Sequence, residues 1–173
     1  DSFYVATKFP VWKATCREDF FTIFEGQRKK LGVEIIDFYL LHALNEQREE
    51  TLLQWDLFSA AQQLKQEGKI RFLGFSFHDE YPVFERLIDR ADWDFCQLQL
   101  NYMDTDVQAG MRGYELAAKK GIPVMVMEPV KGGSLANPPE DVKKVFQTLH
   151  PDWSGASWAQ RWVASLENVA VIL

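Results

Sequence analysis

The stretch that decides the fold is Ile35-Ile36-Asp37-Phe38-Tyr39-Leu40-Leu41-His42, at residues 35–42. Its nearly continuous run of apolar, β-branched and aromatic residues predicts a strand of a parallel sheet with both faces covered. Runs of the same kind recur on either side of it. They predict five further strands, at residues 4–7, 70–76, 95–100, 123–127 and 169–172.

Longer amphipathic stretches separate these runs, which is the pattern of repeated βαβ units. The first helix is expected to begin at a capping box formed by Thr15 and Glu18 and to end at Gly32 in the left-handed conformation. A second helix is expected from about Leu52 to Gly68. Apolar spacing predicts four more helices, after Pro82, before Gly121, after Pro139 and after Gly155.

The number of βα units favours a (β/α)8 barrel (TIM barrel). Six units are too many for half of a doubly wound sheet, and no GxGxxG turn follows the first strand, which disfavours a Rossmann domain. Residues 1–173 show no internal boundary and are expected to form a single α/β domain. Because a barrel closes with eight strands, we expect an incomplete barrel of strands 3 to 8, lacking two N-terminal strands and a C-terminal helix.

Composition narrows the class of protein. The chain is 47% hydrophobic and 25% charged with a net charge of −6, which is typical of a soluble globular domain and argues against nucleic-acid binding. No apolar run is long enough to cross a membrane, and no export signal is visible at residue 1, which indicates a cytoplasmic protein. Cys16 and Cys96 lie far apart without metal-ligand spacing, so neither a disulfide nor a metal site is expected.

Polar residues at or near the ends of the apolar runs are the candidates for chemistry, because active sites of such barrels lie at the carboxyl ends of the strands. Lys8, His42 and Ser76 are expected to terminate their strands, Gln97 lies within its run, and Glu128 follows the run at residues 123–127. Lys8 and His42 are 34 residues apart, as are His42 and Ser76. This interval is about one βα unit and places the side chains around one rim. For Lys8, an exposed surface lysine is an open alternative, and Ser76 and Gln97 could instead satisfy nearby backbone groups.

Four further residues are candidates for ligand contact. Gly132 and Gly133, with Lys131 beside them, suit a close approach to a ligand phosphate, although glycine pairs are also common in ordinary loops. Trp12 could form the wall of a substrate pocket or cover the barrel rim. His78 and His150 are expected to be loop residues.

Four stretches, in this order, resemble the aldo/keto reductases: Val5–Lys8, Ile36–His42, Gly68–Ser76 and Gly121–Val124. The resemblance covers nearly the whole chain. Residues 127–136, with His150-Pro151-Asp152-Trp153, look closest to a bacterial subgroup whose members often carry a C-terminal 4Fe-4S ferredoxin-like segment. That segment would lie beyond Leu173.

The resemblance implies an NADPH- or NADH-dependent oxidoreductase that reduces aldehyde or ketone carbonyls by hydride transfer. Lys8 matches the family lysine that lowers the pKa of a proton-donating tyrosine, and His42 matches the histidine that orients the carbonyl. The tyrosine and its partner aspartate would precede residue 1. None of the five tyrosines of this chain matches the donor, so the segment is expected to be inactive alone.

The resemblance also implies a cofactor site. Ser76 and Gln97 match the positions that hold the nicotinamide carboxamide. Residues 127–133, with Met127, Glu128, Val130, Lys131 and Gly133, match the loop that reaches the ring and the pyrophosphate, and Trp12 is expected to contact substrate. Phe77 replaces a frequent Asn and Met127 replaces a frequent aromatic residue, and the residues that select the 2′-phosphate would lie beyond this chain.

Two other functions stay open from the residues themselves. A lysine at a barrel strand end can form a Schiff base, as in aldolases. A barrel of this kind could also bind a cofactor or a partner without turnover. The expected ligand of the leading interpretation is a small-molecule carbonyl compound, and neither its identity nor the oligomeric state can be derived from the sequence.

Overall fold

The computed structural model describes residues 3–173 and contains six strands and seven α-helices. The strands are β1 (Ala6–Phe9), β2 (Ile36–Leu44), β3 (Ile70–Phe77), β4 (Phe95–Gln99), β5 (Val124–Met127) and β6 (Val169–Ile172). The helices are α1 (Glu18–Leu31), α2 (Glu46–Gln54), α3 (Leu57–Gln66), α4 (Tyr81–Leu87), α5 (Gly110–Lys119), α6 (Glu140–Leu149) and α7 (Gly155–Ala164). Short 3-10 turns lie at Val11–Lys13 and Ser134–Ala136.

The six strands form one parallel sheet in chain order, β1-β2-β3-β4-β5-β6. Within residues 3–173, β1 and β6 form its two edges and do not pair with each other. The expectation of an α/β fold with the strands of an incomplete (β/α)8 barrel is therefore confirmed. None of the helices in the described part of the chain is long and apolar enough to cross a bilayer.

The two faces of the sheet have different packing partners, because successive side chains along each strand point to opposite faces. On the outer face Tyr39 of β2 packs against Phe24 of α1 with ring centroids 5.1 Å apart. On the inner face Phe38 contacts Phe72 and Phe95, with ring centroids 5.0 and 5.5 Å apart. The inner face therefore begins as an aromatic layer and becomes polar toward the carboxyl ends of the strands.

A glycine opens the space for that aromatic layer. Gly74 is level with Phe95 in the β3–β4 pairing. A Cβ atom at Gly74 would lie 2.6 Å from the Phe95 ring, closer than two carbon atoms can approach. The absent side chain of Gly74 is what lets the Phe95 ring cross the inner face.

The predicted start of the first helix is wrong in detail. Thr15 and Glu18 do not form a capping box; instead the Asp19 carboxylate accepts hydrogen bonds from the Thr15 amide and hydroxyl, both at 2.7 Å, and from the Cys16 amide. A carboxylate at a helix start satisfies free amides and complements the helix dipole. The predicted end is confirmed, since Gly32 is left-handed with φ 68°.

The single helix expected from Leu52 to Gly68 is also wrong. The chain forms two helices, α2 and α3, and turns between them at Asp56, whose φ is 50°. The amphipathic spacing continues through the turn because Leu52 and Leu57 are both buried. Helix α2 begins earlier than expected, at an Asn45 side chain that accepts the Arg48 amide at 2.9 Å.

Candidate active site

The structure places Lys8 and His42 within their strands, which corrects the expectation that they terminate them. Strand β1 covers residues 6–9 rather than 4–7. It begins late because the Val5 amide donates to the Asp37 carboxylate at 2.8 Å instead of to a backbone carbonyl of a neighbouring strand, and it ends before Pro10. Strand β2 continues two residues past His42 to Leu44. Lys8 lies opposite Leu40 on the inner face and is half-buried.

Strand β2 is locally distorted at the residue that follows His42. Ala43 has φ 54° and donates its amide hydrogen to the Ser76 hydroxyl at 2.7 Å. The β2–β3 register shifts between Leu41 and Leu44 at the same point. This hydrogen bond ties the residue after His42 to Ser76, so two of the residues that the sequence pointed to are brought together.

The surroundings of His42 keep its imidazole neutral near pH 7. Burial lowers the pKa of His42 below its ordinary value, and the positive charges of Lys8 and Arg48 lower it further. The ring centroid of Trp12 lies 5.2 Å from that of His42. Trp12 is half-exposed, so it forms a wall beside His42 and remains open to solvent.

His78 and Arg48 lie beside His42 and were not among the site residues expected from the sequence. His78 follows β3 directly, its amide donates to the Leu44 carbonyl at 2.9 Å, and burial, Arg48 and Lys8 all lower its pKa. The signal was its spacing of two from Ser76, which puts both side chains on one face of an extended chain. Arg48 belongs to α2, a helix start that the sequence interpretation placed six residues later.

Ser76 and Gln97 are neighbours across the β3–β4 pairing and are both buried. The Gln97 amide nitrogen lies 3.1 Å from the Met127 sulfur. Within residues 3–173, no group accepts the Ser76 hydroxyl hydrogen and no group donates to the Gln97 carbonyl oxygen. A free donor and a free acceptor therefore lie side by side on the inner face, the pair that a carboxamide requires.

The loop after β5 turns sharply and carries its own negative charge. Glu128, Lys131, Gly132 and Gly133 all have positive φ, between 52° and 92°. The Glu128 carboxylate accepts the Gly132 amide hydrogen, and Val130 accepts the amides of Gly133 and Leu135 at 3.1 Å. Consecutive residues with positive φ resemble the backbone turns that bind anions, and here a carboxylate of the protein itself accepts the Gly132 amide hydrogen.

Asp104 and Asn101 anchor this loop and were not expected. Lys131 Nζ lies 2.5 Å from Asp104 Oδ1, and this contact is the main cause that lowers the pKa of Asp104. Asn101, fully buried, donates to Asp104 at 3.1 Å and to the Glu128 carbonyl at 3.2 Å. Its spacing from Asp104, directly after an apolar run, is an Asx-turn signal that could have identified it.

Metal-ligating residues do not gather in the described part of the chain. No group of three or more His, Cys, Asp or Glu side chains in residues 3–173 could hold a metal ion. Cys16 and Cys96 are unbridged, and burial raises the pKa of the Cys96 thiol. Neither cysteine therefore belongs to the rim.

The comparisons with known proteins identify the family. The family model described as the aldo/keto reductase family matches residues 1–172. The chain therefore belongs to the aldo/keto reductase family, a family of oxidoreductases. Among curated proteins none matches the chain.

Solved structures of the same family share the fold. The aldo-keto reductase AKR11C1 from Bacillus halodurans, in its holo form, superposes with a TM-score of 0.79 at 22% identity, over 98% of this chain and 60% of that one. The thermostable aldo-keto reductase Tm1743, in complex with the inhibitor epalrestat, gives 0.76 at 22% identity with the same coverage. MGS-M4, from a Medee basin deep-sea metagenome library, gives 0.74 at 20% identity, also over 98% of this chain and 60% of that one.

The chain thus spans about 60% of the length of these structures. Its six strands and their helices superpose on the corresponding part of each barrel. At this level of identity the superposition shows the fold and assigns no role to individual residues.

Removing the Lys8 charge should raise the pKa of His42. We expect K8M to move the His42 titration upward, toward the ordinary imidazole value of about 6.5, as followed by ring-proton NMR. K119M, which removes a lysine from α5, should leave it unchanged. Because the folded state of the wild type disfavours protonated His42, its free energy of unfolding should fall as the pH drops below about 6.5. A wild-type His42 that titrates at or above that value would contradict the described surroundings.

Proposed function

We propose that this protein is an NADPH- or NADH-dependent oxidoreductase that reduces aldehyde or ketone carbonyls. The observation that carries the proposal is the inner rim of four neighbouring strands, where Lys8, His42, Ser76 and Gln97 face one space. Membership of the aldo/keto reductase family supports the same chemistry. The chain's own residues would supply a carboxamide cradle at one side of this space and a carbonyl-orienting imidazole at the other.

The residues of β3 and β4 fit the carboxamide of a nicotinamide. When bound, the reduced cofactor supplies the hydride that reaches the carbonyl carbon. The Ser76 hydroxyl would donate to the carboxamide oxygen and the Gln97 carbonyl oxygen would accept from the carboxamide nitrogen, since within residues 3–173 nothing accepts the Ser76 hydroxyl hydrogen and nothing donates to the Gln97 oxygen. Phe77 cannot add a contact, because its ring is fully buried and packs against Phe84 with centroids 5.2 Å apart. Met127 would lie against the ring as an apolar, polarisable surface.

His42 and Lys8 would act on the carbonyl oxygen. A neutral imidazole can donate a hydrogen bond to that oxygen, which polarises the carbonyl and orients its carbon. The ammonium group of Lys8 would stabilise negative charge that develops there during reduction. Trp12 would form the substrate wall, since its ring lies against His42 and is half-exposed.

The proton donor is not assigned to a tyrosine of this chain. The Tyr39 hydroxyl donates to Gln27 on the outer side of the sheet at 2.8 Å, and burial raises its pKa strongly. The Tyr114 hydroxyl accepts the Asn168 amide at 2.9 Å. Tyr4 lies at the amino-terminal end of the sheet, opposite the rim, and is exposed. We infer that a residue outside these positions supplies the proton.

The location and partners follow as proposals of the same kind. A bacterial cytoplasmic enzyme with a small-molecule carbonyl substrate accords with the composition and the family. The net charge of −6 disfavours a nucleic-acid partner.

Replacing Lys8 or His42 should abolish most of the turnover. We expect K8M and H42A, each in the full-length protein, to lower carbonyl-dependent oxidation of NADPH or NADH by about 10²-fold or more, which is the size of a lost acid–base contribution. Absorbance at the reduced-nicotinamide band measures it. K119M serves as the charge-matched control. Unchanged turnover in both variants would refute the assignment.

Two further assays separate the two other functions. Borohydride treatment with a carbonyl substrate would trap a covalent adduct on Lys8 if it formed a Schiff base, and such an adduct would overturn the reductase proposal. Quenching of nicotinamide fluorescence without any carbonyl-dependent oxidation would favour a binding barrel without turnover.

Neutralising Glu128 should tighten dinucleotide binding. Its carboxylate accepts the Gly132 amide hydrogen in the turn that we propose for the pyrophosphate. It would therefore compete with a ligand phosphate for this amide and repel the phosphate charge. We expect E128Q to lower the Kd of NADPH or NADH about fivefold, corresponding to roughly 1 kcal/mol for unit charges about 4 Å apart in water. Fluorescence titration measures it, and the gain should shrink at high salt.

The matched control is E115Q, which neutralises an exposed glutamate on α5. It should leave the Kd unchanged. Weaker binding by E128Q would show that Glu128 orders the loop for the ligand and would contradict its role as a competitor.

A further inference from the structure

A positively charged corner surrounds the proposed carbonyl site. Arg48 and His78 lie near His42, and the proposed reaction uses neither of them. Lys8 and Arg48 are the cationic groups that act on both His42 and His78. We call Arg48 and His78 the basic corner.

Arg48 is held in place by its contacts. Its amide is bound by the Asn45 side chain at 2.9 Å, and its guanidinium donates to the Ala43 carbonyl, one residue after His42. The guanidinium carbon lies 5.0 Å from the centroid of the Trp12 ring. A guanidinium has five N–H donors, and within residues 3–173 its only acceptor is the Ala43 carbonyl. The group is therefore positioned and retains donors for a ligand.

The carboxylates that are adjacent in sequence to Arg48 and His78 are engaged elsewhere. Glu49, the next residue along α2, is buried and binds Arg86 at 3.1 Å and Arg90 at 2.8 Å. Asp79, next to His78, accepts the amides of Glu46 and Glu80 at 2.9 and 2.8 Å. No carboxylate in the described part of the chain forms an ion pair with Arg48 or His78. The corner thus has an excess of positive charge that a bound anion would balance.

The arrangement suits a planar or tetrahedral oxyanion. Arginine binds carboxylate and phosphate groups through two parallel hydrogen bonds, and imidazole N–H groups add single donors. The Trp12 ring, against which both Arg48 and His42 lie, provides a flat apolar surface between the basic corner and the carbonyl position. A short, flat molecule can therefore place its carbonyl at His42 and its anionic group at Arg48.

We propose that the substrate is a carbonyl compound that also carries a carboxylate or phosphate group, and that Arg48, assisted by His78, binds this group. The inference rests on the proposed carbonyl reduction and specifies its substrate class. In this arrangement Arg48 contributes to substrate specificity by binding the anionic group, and His42 binds the carbonyl oxygen.

The test compares aldehydes of nearly equal shape that differ in charge. 4-Carboxybenzaldehyde and 4-formylphenyl phosphate carry the two anionic groups, and 4-nitrobenzaldehyde is the neutral isostere. We expect R48M in the full-length protein to lower kcat/KM by about ten- to hundredfold for whichever anionic aldehyde the wild type prefers, as for the loss of a hydrogen bond to a charged group. The value for 4-nitrobenzaldehyde should change by less than about twofold on the same argument.

Two variants control for charge and folding. R161M removes another arginine that lies over a tryptophan, since the Arg161 guanidinium carbon is 3.9 Å from the Trp153 ring centroid, and it should change none of the three values. R48K keeps the charge and should retain more activity on the anionic aldehydes than R48M. An equal loss on charged and neutral aldehydes in R48M, or a wild-type preference for the neutral one, would overturn the inference.

A binding measurement keeps the inference separate from the proposed function. Inorganic phosphate should shift the NMR signals of the His42 and His78 rings in the wild type, and R48M should need about tenfold more phosphate for the same shift. Absence of this shift in the wild type would overturn the basic corner. If none of the aldehydes is turned over, the proposed reduction fails, and the phosphate titration alone decides whether the corner binds anions.

Discussion

The pairing of β2 with β3 is the interaction on which the rest of the site depends. It runs from Ile36 and Ile70 to Leu44 and Phe77, and it changes register just before its carboxyl end. There Ala43 takes a positive φ and donates its amide to Ser76. The pairing of Leu41 with Phe75 brings His42 level with Ser76, and the hydrogen bond from Ala43 ties the end of β2 to β3 at this point.

The charges of the rim divide it into two halves. Around His42 the groups are basic, and around the loop after β5 the acidic side chains of Glu128 and Asp104 dominate, with Lys131 paired to Asp104. Ser76 and Gln97, which are neutral, lie between these halves. In the proposed function a neutral nicotinamide carboxamide would suit this middle position, a ligand phosphate would compete with Glu128 for the loop, and an anionic substrate would be attracted to the opposite side.

The fold could be predicted from the sequence largely because parallel strands leave a strong local pattern. The run at residues 35–42 and its five counterparts contain little besides apolar, β-branched and aromatic residues. Each predicted run overlaps an observed strand, and the boundaries differ by at most two residues. The break at Asp56 could not be predicted, because the buried Leu52 and Leu57 continue the amphipathic spacing across it. The spacing of apolar residues indicates which residues are buried, and residues on both sides of this turn are buried in the same way.

The site was only partly predictable for a related reason. Lys8, His42 and Ser76 could be placed together because one βα unit has a nearly constant length. Arg48 depends on where α2 begins, which the sequence interpretation placed too late, and Asn101 acts through contacts between two loops that are distant along the chain. Such tertiary contacts leave no periodic signal. Such contacts can be identified only from the three-dimensional arrangement of the two loops.

The central claim is that the inner rim between β3 and β5 holds a nicotinamide, and methionine methyl groups test it most directly. The chain has four methionines, of which Met127 lies against Gln97 and Met111 lies on α5 outside the rim. With 13C-methyl-labelled methionine and bound NADP+ or NAD+, we predict nuclear Overhauser contacts between the Met127 methyl group and the nicotinamide ring protons, and none from Met111. A bound dinucleotide whose nicotinamide protons contact Met111, or no methionine at all, would contradict it.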